Sequence, residues 1–390
     1  MLAFGPPAVP APIAPPTVVA PAPQSVSFGL VAGRVSPGTR RIVVAVDGRR
    51  VAATRVAGRR FRTRVRIPSR DVTVRVTAVG AAGARRSRAV GPVFGLPPAA
   101  APTAARPHED AVLARKVRAL ALRFPGVAAV YVEDLRTGAG AAWNAGARYP
   151  AASTVKLAIA VAVMRRLGGP PPPGSELAHL LFAMLARSDN AAANELEVWL
   201  GGSESGGAAL VNATLAELGL RSTEMYGGFI IGTASTRPIP IEVRSAPAFG
   251  LGKFTTAWDL ARLARYLHLA AGGRGPLVVR VDGFTPNEAR YLLFLLAHST
   301  DHGKLDRYLG AIGAVILHKA GWIVHARHDN GLVYWRRGAF VATVMTWNAS
   351  GVGASADLLA GRVASVALSR FRALAARPRA PRRVARRFAL

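Results

Sequence analysis

The sequence predicts a mixed α/β (α+β) protein: a small all-β sandwich followed by a larger domain with a mostly antiparallel sheet, flanking helices and an inserted helical lobe. Three observations carry this. Between residues 25 and 97, short runs alternate apolar and polar side chains with period two. From Glu109 the spacing changes to a strand pair, then a series of helices, then three strand-like runs and a closing helix. Two stretches rich in Pro and Ala, 1–24 and 98–108, have the composition of domain boundaries.

Residues 1–24 read as an extended linker, because Pro and Ala at this density offer little to bury. In the next segment, 25–97, Arg41–Val46 leads through the turn signal Asp47-Gly48 into Arg49–Val56. Phe61, Thr63, Val65 and Ile67 alternate with Arg62, Arg64 and Arg66, and Val72, Val74 and Val76 with Thr73 and Arg75. Short strands so spaced suggest a sandwich of immunoglobulin-like type, with no catalytic constellation and the character of a spacer or adhesive module. After the second linker, 98–108, residues 109–372 form the larger domain, and 373–390 an Arg-rich tail. Asp110–Phe124 has helical periodicity, Val127–Val132 is a buried-type strand, and Ala141–Asn144 returns beside it. Ala151–Leu167 is a strongly apolar helix. The late strands are Ala314–His318, Gly331–Trp335 and Phe340–Thr346, and Leu358–Leu374 is the closing helix.

Charge is distributed unevenly. The net charge is +30, of which residues 25–97 supply +14 (sixteen Arg against Asp47 and Asp71) and Arg370–Leu390 another eight Arg. The larger domain is only modestly basic. The flanks are therefore candidates for attraction to a polyanion, such as an anionic cell-surface polymer, a lipid surface or nucleic acid, against the plainer reading of Arg-rich compositional bias. The chain has no cysteine, which excludes disulfides, thiolate metal sites and a cysteine nucleophile. Met1–Gln24 shows no positive n-region and no unbroken apolar run, so no signal peptide is legible. No stretch reaches the roughly 18 apolar residues of a membrane span.

Three short motifs bear on chemistry. Ser153-Thr154-Val155-Lys156 opens the apolar helix. A hydroxyl and an amine three residues apart share one helix face, and a lysine buried among apolar neighbours loses its proton readily enough to serve as a base. Taken alone, the tetrapeptide reads rather as a serine N-cap with an outward lysine. Ser188-Asp189-Asn190 follows 35 residues after Ser153 and offers a hydroxyl and an amide on a tight loop, or simply a helix cap. Lys319-Ala320-Gly321 puts an ammonium on a strand and a glycine that lets a ligand approach the backbone, or a lysine on a solvent face.

Taken together and in this order, S-T-V-K, S-D-N and K-A-G resemble the signature of the serine β-lactamases and penicillin-binding proteins. Tyr149-Pro150-Ala151-Ala152 before the serine, Met184–Asn194 around the second motif and Thr255–Ala261 before the third are similar to the same family, so the resemblance covers about 109–372. It implies a β-lactamase-like fold and an acyl-enzyme on Ser153, with Lys156 as its base and Ser188 relaying a proton to the leaving nitrogen. It also implies that Asn190 holds a substrate amide and Lys319 draws in a carboxylate, with an oxyanion site between the N–H groups of Ser153 and Trp322 beside Gly321. It calls for no cofactor and no metal, and implies a β-lactam or cell-wall peptide as substrate, an extracellular or cell-envelope setting and a monomer. A D,D-peptidase and a weakly catalytic wall-binding protein are the alternative readings.

Two departures stand out. The family's E-x-x-L-N pattern, which supplies a deacylating base, is absent; Glu224 and Glu242 are the candidates to replace it. The Gly- and Ser-rich stretch Gly201–Gly207 reads as an insertion. Ala320 stands where the family carries Thr or Ser, removing a hydroxyl whose hydrogen bond to a carboxylate is worth about 1.5–3 kcal/mol. His318, His325 and His328 fit no standard metal spacing. Trp322, Tyr334, Trp335 and Trp347 are expected to pack on the sheet, Trp322 bordering the cleft.

Overall fold

The computed structural model describes residues 13–81, 83–225, 239, 241, 243–247 and 252–376. The first part of the chain forms eight strands: β1 (Thr17–Ala20), β2 (Ser25–Ser27), β3 (Leu30–Arg34), β4 (Thr39–Val46), β5 (Arg49–Arg55), β6 (Arg60–Arg64), β7 (Asp71–Gly80) and β8 (Arg85–Gly95). They build a three-stranded sheet, β1-β3-β6, facing a five-stranded one, β2-β8-β7-β4-β5. The alternation in the sequence is the cause: Ile42, Val44, Val74 and Val76 are fully buried and meet Val31, Phe61 and Val65 of the opposite layer, while Arg75 points to solvent.

One expectation is corrected here. The segment 1–24 is not wholly a linker, because Val18 and Val19 sit in β1, paired with β3, and Ile13 is buried in the sandwich core. A short β-branched run between prolines is enough to extend an existing sheet at its edge.

The larger part follows as β9 (His108–Glu109), α1 (Ala111–Leu122), β10 (Val127–Asp134), β11 (Ala139–Trp143), β12 (Arg148–Pro150), α2 (Lys156–Leu167), α3 (Glu176–Ala186), α4 (Asn190–Gly201), α5 (Glu204–Glu217), β13 (Phe254–Thr256), α6 (Ala257–Ala271), α7 (Pro276–Arg280), α8 (Pro286–Ala297), β14 (Val315–Ile323), β15 (Ala326–Trp335), β16 (Gly338–Trp347) and α9 (Ala354–Ala376). The sheet order is β14-β15-β16-β10-β11-β9, antiparallel except for the parallel β9–β11 pair. Helices α1 and α9 cover one face through Leu113, Val117, Val363 and Phe371. Helices α6 and α8 cover the other, and α2 to α5 form the helical lobe. Gly201–Gly207 closes the α4–α5 hairpin, where a side chain on Gly207 would lie 2.1 Å from the Glu197 carbonyl oxygen. Among the described residues no helix is long and apolar enough to cross a membrane.

The second Pro/Ala stretch is packed rather than free. Ala100 is buried, Ala105 accepts a hydrogen bond from Arg265, and His108–Glu109 joins the large sheet. The two sheet systems also touch directly. Val26, Phe28, Phe94 and Leu96 belong to the same buried cluster as Leu292, Leu296 and Tyr334. The Phe28 ring meets His268 and Tyr334 at centroid distances of 6.3 and 6.2 Å, and His298 Nε2 lies 3.1 Å from Asp71 Oδ2.

Candidate active site

The first motif does not begin inside a regular helix, as the sequence suggested. Residues 152–155 form a 3₁₀ turn and α2 starts at Lys156. The i and i+3 positions eclipse in such a turn, so Ser153 and Lys156 still stand on one side. Ala152 holds φ +46°, a left-handed conformation uncommon for a residue with a side chain. Thr154 Oγ1 donates to the Ala151 carbonyl at 2.5 Å, and Ala151 N–H to the Lys253 carbonyl at 2.9 Å, fixing the turn from below. The buried His328 secures the strand before it. Its Nδ1 accepts the Thr346 N–H at 3.2 Å, which leaves Nε2–H to donate to the Pro150 carbonyl at 2.8 Å. Burial holds this imidazole neutral, its pKa lowered to about 4.

Lys156 is 5% exposed, and its Nζ donates to the Ser188 carbonyl at 2.5 Å and to Asn190 Oδ1 at 2.6 Å. Burial, opposed by Asp189 and reinforced by Lys253, lowers its pKa to about 8. A neutral amine has two N–H groups and one lone pair. Both N–H groups are thus engaged, and the lone pair remains to take a proton. Among the described residues the Ser153 hydroxyl makes no hydrogen bond of its own, as is common before a substrate binds.

The second motif brings its residues to the same place. Ser188 has φ +62°, again left-handed, and Asp189 caps α4 by accepting the Ala192 N–H at 3.0 Å. The Ser188 hydroxyl accepts from Lys319 Nζ at 2.7 Å. Lys319 also donates to the Ala320 carbonyl at 2.9 Å, so one N–H of its ammonium is left over. At 2% exposure, Lys319 has its pKa lowered to about 7, first by burial and then by the charge of Lys156.

Gly321 is where the third motif meets the first. A Cβ there would lie 2.6 Å from the Ser153 amide nitrogen and 2.7 Å from that of Thr154. Both are backbone atoms that cannot step aside, so only glycine lets β14 run against the serine turn. Ala320 is buried. Trp322, expected as sheet packing, is 64% exposed, while Tyr334 and Trp335 are buried as expected. Residues His318 and Asp329 pair at 2.9 Å behind Lys319.

All seven sequence-derived positions therefore converge except the Trp322 side chain, which turns to solvent. Of the candidate deacylation bases, Glu224 is tied by two backbone hydrogen bonds to Phe254, and Glu242 lies outside the described residues. Sequence reasoning missed Glu197 and Lys253. The Glu197 side chain is 1% exposed on α4, with Oε1 3.4 Å from Lys253 Nζ and the Lys253 carbonyl holding Ala151. Two acids in an otherwise apolar helix stretch, Glu195-Leu196-Glu197-Val198-Trp199-Leu200, were the available signal.

Comparison with known proteins fits this arrangement. The β-lactamase enzyme family matches residues 112–169 and 170–371, more than half of the chain. Among solved structures, one described as PBP-A is 22% identical, with 70% of this chain and 100% of that one covered and a TM-score of 0.54. An ancestral class A β-lactamase is 23% identical, with 66% and 100% covered and a TM-score of 0.50. A β-lactamase from Streptosporangium roseum is 19% identical, with 68% and 99% covered and a TM-score of 0.51. At such identities the likeness is one of fold. No curated protein matches. By the family match over its larger part, the chain belongs to the β-lactamase enzyme family.

Proposed function

We propose that this protein is an acylating serine hydrolase that opens β-lactams through a covalent intermediate on Ser153. The observation that carries the reading is Lys156: a buried amine with pKa lowered to about 8 and both its N–H groups engaged, three residues from a serine whose hydroxyl makes no hydrogen bond among the described residues. In this reading Ser153 Oγ attacks the carbonyl carbon as its proton passes to Lys156 Nζ. The Ser153 N–H, at the start of its turn where no intrahelical acceptor exists, stabilises the oxyanion together with an N–H of β14 at Trp322. Because Ser188 Oγ accepts from Lys319, its own hydrogen is free for the leaving nitrogen. Lys319 offers its remaining N–H to a substrate carboxylate, and Asn190 presents its amide to the acyl side chain.

Hydrolysis of the acyl-enzyme requires a base for water, and Glu224 and Glu242 are the candidates. If neither serves, the protein turns over slowly and behaves as a penicillin-binding peptidase. A solved neighbour is described as an acyl-enzyme complex with penicillin G, so a penicillin is the natural first probe. The test is hydrolysis of a chromogenic β-lactam and labelling by a fluorescent penicillin, in wild type and Lys156→Ala. Loss of both in the variant supports the reading. Labelling that is unchanged in Lys156→Ala overturns it.

A further inference from the structure

We propose that the outer face of the five-stranded sheet β2-β8-β7-β4-β5 is a docking surface for a linear cell-surface polyanion, a polymer of phosphodiester-linked polyols. The proposal stands apart from the catalytic reading and rests on strand register.

Arg41 on β4 lies directly opposite Arg55 on β5, and across β7 at Val79 the same row ends in Arg85 on β8. Two residues further along comes a row of small side chains, Ala53, Val43, Thr77 and Ser87. The next row holds Arg50, Ala45, Arg75 and Ala89. With strands about 4.8 Å apart and a rise of about 3.3 Å per residue, the arginines of the first row span roughly 14 Å, those of the second, on β5 and β7, roughly 10 Å, and the two rows lie roughly 13 Å apart. The result is a flat strip: guanidinium groups along both margins and a low, uncharged floor between them.

Among the described residues nothing neutralises these charges. Arg41, Arg50, Arg55, Arg75 and Arg85 are exposed, and among the described residues none of their guanidinium groups makes an ion pair or hydrogen bond. The only acids of residues 25–97 are engaged elsewhere, Asp47 with Arg70 and Asp71 with His298. Like charges directly opposite on a sheet weaken it, so Arg41 facing Arg55 is a cost that an anionic ligand would relieve. Arginine suits phosphate through its planar fork of donors. The face carries no aromatic side chain, so it offers no stacking platform for bases, and this favours a phosphodiester polymer without bases over a nucleic acid. The three-stranded sheet also bears arginines, but Arg60, Arg62 and Arg64 run in single file down the edge strand β6, with only Arg34 opposite.

The experiment is fluorescence anisotropy of labelled poly(glycerol phosphate) with the full-length protein across a salt series, and with labelled poly-dT of equal charge. Arg41→Ser/Arg55→Ser/Arg85→Ser removes one margin. Arg60→Ser/Arg62→Ser/Arg64→Ser removes the same charge from the other sheet. Each lost phosphate contact should flatten the log–log salt slope by about 0.7–0.9, so the first triple variant should lose about tenfold or more in affinity and two units or more of slope, the second little. Equal losses in both triples would overturn the proposal by making the attraction diffuse. Tighter binding of poly-dT, or no complex at low salt, would overturn it as well.

Discussion

Lys319 Nζ donates to Ser188 Oγ at 2.7 Å, which ties the strand of the third motif to the loop of the second. The same residue receives Lys156 on its carbonyl, so Ser188 stands between two buried amines. Several consequences of this arrangement are open to measurement.

The two lysines predict a narrow pH window. Proton uptake from Ser153 needs neutral Lys156, whose pKa of about 8 makes acylation rise with pH up to that point. Attraction of a carboxylate needs charged Lys319, whose pKa of about 7 makes it fail as pH rises further. The kcat/KM for a carboxylate-bearing β-lactam should therefore be bell-shaped, with its maximum between about pH 7 and 8. An acylating substrate without a carboxylate should show the acid limb alone. A flat profile between pH 6 and 9 for both would contradict the account.

Lys319 also predicts a trade between stability and binding. Its folded pKa lies below the ordinary lysine value of 10.5, so between about pH 7 and 10 the unfolded chain holds the extra proton and stability from this group rises with pH. Below that window the full cost of the buried charge is present. Lys319→Met should raise stability at pH 6 by roughly 1–4 kcal/mol, with the gain shrinking towards pH 10, while capture of a carboxylate substrate collapses. Urea unfolding at the two pH values checks the sign.

Gly321→Ala should fold and yet fail to acylate. Its Cβ would need space 2.6 Å from the Ser153 amide nitrogen, and the strand or the turn must shift to provide it. Misplacing a reacting group by about 1 Å costs about a hundredfold in rate. Penicillin labelling rates for wild type and variant give the comparison.

The small sandwich should unfold together with the larger domain. Phe28 is 8% exposed, and its ring packs on His268 and Tyr334 of the larger part. Phe28→Ala should cost about 3–5 kcal/mol and lower a single shared thermal transition. Two separable transitions in the wild type would speak against this coupling.

How far the sequence led depends on the kind of signal. Strict alternation in Val72–Val76 and long apolar runs such as Lys156–Leu167 specify elements locally, and they appear in the structure where periodicity puts them. The ordered motifs around Ser153, Ser188 and Lys319 were legible because their chemistry constrains residue type at fixed spacing. What the sequence hid depends on partners distant along the chain. Val18 and Val19 become a strand only because β3 presents a free edge. The linker 98–108 is ordered by Arg265 and by β11, neither of which composition reveals. Glu197 gains its place from Lys253, 56 residues away.

The central claim is that Ser153 carries the acyl group, and intact-mass spectrometry after mixing with a penicillin tests it most directly. The account predicts an increase equal to one penicillin, mapping to the peptide that contains Ser153 and absent in Ser153→Ala. Its decay over seconds to minutes would mark a β-lactamase, and its persistence for hours a penicillin-binding protein. An adduct that survives in Ser153→Ala, or none at all in the wild type, would contradict the claim.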